Sequence, residues 1–294
     1  MIMDANTVAI FISPHLDDAI LSCGGTIHSL SARGASVIIA TIFTADYNGL
    51  VPLSELARTN LRVWGLGGRP FVKRCEEDRL AAQHLGAQVE HFGFQDCIFR
   101  QDADGRFLYT QRVIGVPVHP CDWKNLEPAL QVALGEFLRQ YDSQNLRVFC
   151  PLALGGHVDH ILVRHAVETL SLPHEILYYE EIPYAMRSQA SGDQTKSMDP
   201  YTVNISDQDL QARVTASVYY DSQIPGLFPS QWEMLLEIMD ARLPASRRVY
   251  PIRFDVPASM RRMETSLRKY RDRIGGERYW TAGAQPFVLE GYGS

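Results

Sequence analysis

TVAIFIS, Thr7 to Ser13, runs straight into PHLDD, residues 14–18. An unbroken, β-branched apolar run of this length predicts a strand buried on both faces, as in a parallel sheet. Over 18–33 the apolar residues recur at helical spacing, Gly34 offers a C-cap, and 35–43 is again rich in Val and Ile. Strand, helix and strand in that order make a right-handed βαβ unit. The alternation continues outward, with helices over 69–86, 126–141 and 159–170 and strands over 88–94, 147–152 and 174–181. Asp104-Gly105, between Ile98-Phe99-Arg100 and Arg106-Phe107-Leu108-Tyr109, predicts an inserted β-hairpin. A calcium loop starting at Asp102 would need a Glu where Val113 stands. The expected fold is therefore α/β, a Rossmann-like, mostly parallel sheet flanked by helices, with that hairpin and a C-terminal elaboration. One domain over 1–294 is expected, with a core of about 1–187 and the elaboration over about 198–294, joined by the polar stretch 188–197.

The chain has 294 residues, 46% hydrophobic and 21% charged, which is the make-up of a soluble globular protein with room for a substantial core. A formal net charge of −6 argues against broad electrostatic binding of nucleic acid. Five cysteines without a CxxC pair suit reduced, buried thiols rather than a disulfide framework or a thiolate metal site. The start lacks a basic n-region, and no apolar run reaches the length of about 18 residues that an integral membrane segment needs. A cytoplasmic protein is expected. The 260–273 stretch sets six Lys and Arg against Glu264 and Asp272, while Met260, Met263, Leu267, Tyr270 and Ile274 fall at helical spacing. A packed helix with a solvated basic face is the expectation, and contact with a phosphorylated substrate or a membrane surface is the alternative.

In open α/β sheets ligands bind outside the carboxyl ends of the strands. Two polar clusters fall there, Ser13-Pro14-His15-Leu16-Asp17-Asp18 after the first strand and Gly155-Gly156-His157-Val158-Asp159-His160 after the fourth. Singly, each has a plain structural reading: the aspartates cap a helix, and the histidines are surface or core imidazoles. Together they gather carboxylates and imidazoles toward one crevice. That is the N/O donor set that zinc uses when one position stays open for chemistry, and iron(II) accepts the same donors. The glycine pairs Gly24–Gly25 and Gly155–Gly156 allow either close approach to a ligand or tight packing.

The PHLDD and HVDH segments resemble the signatures of the PIG-L/LmbE-like family of metal-dependent N-deacetylases. Arg74-x-x-Glu77 with Ala81 and Leu85-Gly86, Phe92-Gly93-Phe94-Gln95-Asp96, Tyr220-x-Ser222-Gln223 and Glu277-Arg278-Tyr279-Trp280 are similar to further motifs of that family. Leu16 and Val158 stand where prolines are usual, which changes loop stiffness rather than chemistry. Gly155 stands where several relatives have a tyrosine, so any role of that ring falls to another residue or is absent.

The resemblance implies that His15, Asp18 and His160 bind a metal, zinc or iron(II). It also implies that Asp17 is the general base, and that His157 stabilises the oxyanion or protonates the leaving amine. Arg74 and Asp96 would contact substrate, with a structural ion pair or helix-end charge as the competing reading. The implied reaction removes an N-acyl group from a small sugar-like molecule or glycoconjugate such as one containing N-acetylglucosamine. An amidase acting on a larger thiol-sugar conjugate, or an inactive nucleotide-binding or regulatory module, are the alternatives. No Gly-x-Gly-x-x-Gly or P-loop follows the first strand to favour the last of these.

Overall fold

The computed structural model describes residues 7–47, 49, 52–141, 145–170, 172–187, 195, 197–229 and 256–282. Strands β1 (Thr7–Ser13), β2 (Ser36–Thr41), β3 (Gln88–His91), β4 (Asn145–Pro151) and β5 (Ile176–Tyr179) are parallel, and β6 (Asp199–Val203) and β7 (Glu277–Thr281) join them antiparallel. The sheet order is β3-β2-β1-β4-β5-β7-β6. All of β1 is buried, as its unbroken apolar run requires, and Phe11 stacks on its register partner Phe149 with ring centroids 4.1 Å apart. The chain runs from β1 out to β3 on one side and from β4 to β5 on the other. The order therefore reverses between β1 and β4, where a crevice opens at their carboxyl ends.

The described helices are α1 (Asp18–Ala32), α2 (Glu55–Val63), α3 (Pro70–His84), α4 (Glu127–Arg139), α5 (Val158–Thr169), α6 (Tyr184–Arg187), α7 (Asp207–Val218), α8 (Ile224–Leu227) and a last one over Val256–Ile274. Helices α2, α6, α7 and α8 and strands β6 and β7 are additions to the sequence-based expectation. The Asp104-Gly105 turn forms, with Gly105 at φ 78° and an antiparallel bridge between Gln101 and Phe107. Its first arm departs from the expected strand, because the Asp96 carboxylate accepts the Ile98 N–H at 3.1 Å and folds Cys97–Phe99 into a 3₁₀ turn. The 188–197 stretch falls, apart from Thr195 and Ser197, outside the described residues. Cys23, Cys97 and Cys150 are buried, and all five thiols are free. Among the described residues no helix is long and apolar enough to cross a membrane.

The C-terminal part is built into the same sheet rather than appended to it. Ser206 and Asp209 form a reciprocal capping box that starts α7, and α7 packs along α1. Gly24 and Gly25 permit that approach: a Cβ on Gly24 would lie 2.8 Å from Arg213 Cγ, and one on Gly25 2.7 Å from Ile205 Cδ1. This pair serves packing. Glu277 of β7, 1% exposed, accepts the Gly25 and Thr26 N–H groups at 2.9 Å each, the Thr26 hydroxyl at 2.6 Å and Arg213 Nη1 at 3.1 Å.

In the last helix Met263, Leu267 and Tyr270 face inward as expected. Its basic side chains are largely tethers: Arg271 pairs with Asp207, Arg268 donates to Gln211, and Arg273 donates to the Ala185 carbonyl.

Glu277→Ala should lower unfolding free energy by about 3–5 kcal/mol, because it strands Arg213 as an uncompensated buried charge. Urea denaturation checks this, and a loss below about 1 kcal/mol would contradict the role given to the carboxylate.

Candidate active site

The loop after β1 is folded by its own polar groups. Ser13 Oγ donates to the His15 carbonyl at 2.6 Å and accepts the Ala19 N–H at 3.1 Å, while the His15 N–H donates to Asp18 Oδ2 at 2.8 Å. Asp17 occupies the cap position of α1, yet it makes no side-chain capping bond. Simple helix capping therefore does not account for it.

After β4, Ala153, Gly155 and Gly156 all take positive φ, 60°, 78° and 67°, which reverses the chain sharply. His157 then caps α5, its Nδ1 accepting the Asp159 N–H at 3.2 Å. The reversal is clamped from outside, where Val158 N–H donates to Val113 O at 2.9 Å and Gly115 N–H to Gly156 O at 3.0 Å. The space beside Gly155 is filled from α6: a Cβ there would lie 2.8 Å from Tyr184 Cγ. The Tyr184 ring stands edge-on to His160, with centroids 5.9 Å apart.

The two loops meet at three atoms. His15 Nδ1 lies 3.2 Å from Asp18 Oδ2, His160 Nε2 lies 3.3 Å from Asp18 Oδ2, and His160 Nε2 lies 3.3 Å from His15 Nδ1. Three donors bound tetrahedrally at about 2.0–2.1 Å would stand about 3.3–3.4 Å apart, so this near-equilateral triangle fits a divalent cation. The outer nitrogen of each imidazole meets a buried carboxylate. His15 Nε2 is 3.1 Å from Asp159 Oδ2, and His160 Nδ1 is 3.0 Å from Glu181 Oε1. Such partners fix the tautomer and leave the inner lone pair free for a metal.

His157 also lies near, its ring 4.8 Å from His15 and 5.0 Å from His160. Because its Nδ1 lone pair accepts a backbone N–H, the neutral ring carries its proton on Nε2 and offers a hydrogen-bond donor, not a ligand atom. His15 with His157 and His160, Cys97 with His157 and Asp159, and His15 with Asp96 and Asp159 also bring donor atoms within 4.8 Å of one another. The last two sets depend on Asp159, which is already held by Arg100 Nη2 at 2.5 Å and by the Cys97 N–H at 3.2 Å, so they suit a cation less well.

Charge in this cluster is strongly interdependent. Burial, with Asp18 alongside, pushes the Asp17 carboxyl up to about 7. Asp18 is held well below the carboxylate range, because His160 and His15 outweigh its burial. Burial and the neighbouring His15 and His160 rings hold His157 well below the usual imidazole value, which keeps it neutral.

One cavity of about 470 Å³ is lined by His15, Asp17, Asp18, Arg74, Asp96, His157 and His160 together. Every site residue expected from the sequence therefore reaches the same space. Arg74 is 2% exposed, its guanidinium lies 4.4 Å over Trp64 and 4.9 Å over Phe71, and its Nε and Nη1 find no hydrogen-bond partner among the described residues. Asp96 serves the 3₁₀ turn with one oxygen and stands 3.9 Å from His15 Nε2 with the other. Tyr184, at the end of the 180–184 segment that follows the fifth strand, also lines it, as do residues that sequence reasoning had not assigned to the site, notably Gln223 and the α2 side chains Leu56, Thr59, Asn60 and Val63.

The family model PIG-L, described as GlcNAc-PI de-N-acetylase, matches residues 10–171, which hold both ligand loops. The chain belongs to the PIG-L family. It is 29% identical to 2'-N-acetylparomamine deacetylase of Niallia circulans over 188 residues, covering 59% of this chain and 66% of that protein. It is 30% identical to the enzyme of that name from Streptomyces fradiae over 185 residues, covering 62% of this chain and 59% of the relative. The match thus spans less than two thirds of either relative. In fold it is similar to the zinc-inhibited form of teicoplanin deacetylase, with a TM-score of 0.72 at 24% identity, covering 93% of this chain and 97% of the other. The pseudoaglycone deacetylase Dbv21 gives a TM-score of 0.65 at 20% identity over 96% and 99% of the two chains.

Purified protein should carry close to one divalent metal per chain by elemental analysis, and His160→Ala should lose most of it. Glu181→Gln should weaken metal binding by about 10–100-fold in chelator competition while keeping the fold. Unchanged affinity would mean that Glu181 serves only the Leu154 backbone, whose N–H it accepts at 3.1 Å.

Proposed function

We propose that this PIG-L-family protein is a metal-dependent N-deacetylase acting on an acetamido-sugar substrate, with zinc or iron(II) held by His15, Asp18 and His160. The observation that carries this reading is the triangle of donor atoms 3.2–3.3 Å apart, set in a cavity that Asp17 and His157 also line. The names of the curated relatives point to the same chemistry. A divalent cation bound there would polarise the amide carbonyl and acidify the attacking water.

The chain's own groups supply the rest. Asp17 neither caps the helix nor belongs to the donor triangle, so its carboxylate is free to take a proton from water as the oxygen attacks the carbonyl carbon. The same proton then passes to the amide nitrogen as the C–N bond breaks, leaving acetate and a free amine. His157 presents Nε2–H, and so it stabilises the developing oxyanion rather than protonating the amine. Asp159 and Glu181 orient the two ligand imidazoles from behind. Arg74 and Asp96, which line the same cavity, contact the sugar.

The test is release of free amine from N-acetylglucosamine and its glycosides. Asp17→Asn should keep its metal and lose about 10²–10⁴ in kcat. His157→Ala should lose about 10²–10³ in kcat with metal content and KM nearly unchanged. Release of the metal by Asp17→Asn as readily as by Asp18→Asn would mean that the two carboxylates have been exchanged.

A further inference from the structure

Helix α2 has apolar residues on two sides. Ala57 and Leu61, 0% and 9% exposed, belong to the core, whereas Leu56 and Val63 line the active-site cavity and stay only half-buried. Trp64 follows them. The same cavity is lined by Val113 and Leu227, both half-buried, and by Ile114, which is 44% exposed. Large apolar side chains gathered around the mouth of one cavity forgo the free energy of burial until something apolar covers them.

This wall is preformed. Ser54 caps α2 by accepting the Ala57 N–H at 3.0 Å and reaches the Ile98 carbonyl at 3.5 Å. The 113–115 segment is bonded on both sides of His157, so the wall and the reacting groups share one frame. Among the residues lining the cavity the carboxylates Asp17, Asp18 and Asp96 are all buried, the Arg74 guanidinium lies 4.4 Å over the Trp64 ring, and Thr59, Asn60 and Gln111 are neutral. A volume of about 470 Å³ falls in the range of clefts for drug-sized ligands, roughly 300–1,000 Å³.

We infer that the substrate carries an apolar group of several carbon atoms beyond its acetamido sugar, seated on Leu56, Val63, Trp64, Val113, Ile114 and Leu227. The inference rests on the deacetylase reading for the position of the sugar. The group is either an apolar aglycone or an N-acyl chain longer than acetyl, since both have the same chemistry and both leave the reacting centre along this wall.

The experiment measures kcat/KM of the metal-loaded protein on two series. One is the methyl, butyl and hexyl β-glycosides of N-acetylglucosamine. The other is methyl glucosaminide bearing N-acetyl, N-butanoyl and N-hexanoyl groups. Each methylene that reaches the wall should raise kcat/KM by roughly fourfold, so one series should climb at least tenfold and thereby name the source. The 6-aminohexyl glycoside should gain much less than the hexyl one. Leu56→Asn and Ile114→Asn should flatten the climb, with melting temperature showing that the fold is kept. Two flat series, or equal rates for hexyl and aminohexyl glycosides, would overturn the inference and leave the deacetylase reading standing. If no amide in the panel is cleaved, the deacetylase reading fails. The wall is then tested by binding alone, because hexyl glucosaminide must bind at least tenfold more tightly than methyl glucosaminide.

Discussion

The site depends on β1 and β4 being hydrogen-bonded neighbours, with Thr7 through Phe11 in parallel register with Asn145 through Phe149. Parallel neighbours end on the same edge of the sheet, and these two strands are the pair between which the winding reverses. Neither loop holds a complete donor set. Pairing the strands brings His160 Nε2 to 3.3 Å from both His15 Nδ1 and Asp18 Oδ2, groups about 145 residues away in sequence by the His15 pairing. A shift of one residue in register would displace the loops by roughly 3.3 Å and open the triangle.

Holding two imidazoles and a carboxylate so close has a desolvation cost, since Asp18 and His160 are buried and His15 is partly so. Asp159 and Glu181 offset it. They are fully buried, and each takes the outer nitrogen of one imidazole. The two rings present opposite nitrogens to the centre, Nδ1 from His15 and Nε2 from His160, because one approaches along a tight loop and the other from the first turn of α5. Asp159 is in turn anchored by Arg100, which also pairs with Asp122 at 3.0 Å. The rigidity of the centre thus extends outward through a chain of charged pairs.

The C-terminal part acts on the site through α3. Ser222 Oγ donates to Glu77 at 2.6 Å and Tyr220 OH to Asp78 at 2.7 Å, which fixes the helix carrying Arg74 and places Gln223 at the cavity. The similarity of these segments to family motifs therefore has a structural basis: they join one another rather than the triangle of His15, Asp18 and His160.

Local patterns in the sequence are sufficient for the parallel core. The apolar run of β1, the helical spacing after Asp18 and the alternation that follows all reflect short-range sterics and burial, and they also place the PHLDD and HVDH loops at strand ends. Weaker patterns did not reveal α2, α7, β6 or β7, whose stability comes from partners distant in the chain, such as Glu277 on the N–H groups of α1. The hairpin expectation yielded in its first arm to the Asp96 cap. The candidate residue types stood out in the sequence because metal chemistry would restrict them to a few. Which oxygen and nitrogens converge, which carboxylates stand behind them, that Tyr184 fills the space beside Gly155, and that α2 walls the cavity were decided only by tertiary structure. Each of these is a distance between groups far apart in sequence, and such distances are set by packing the whole chain at once.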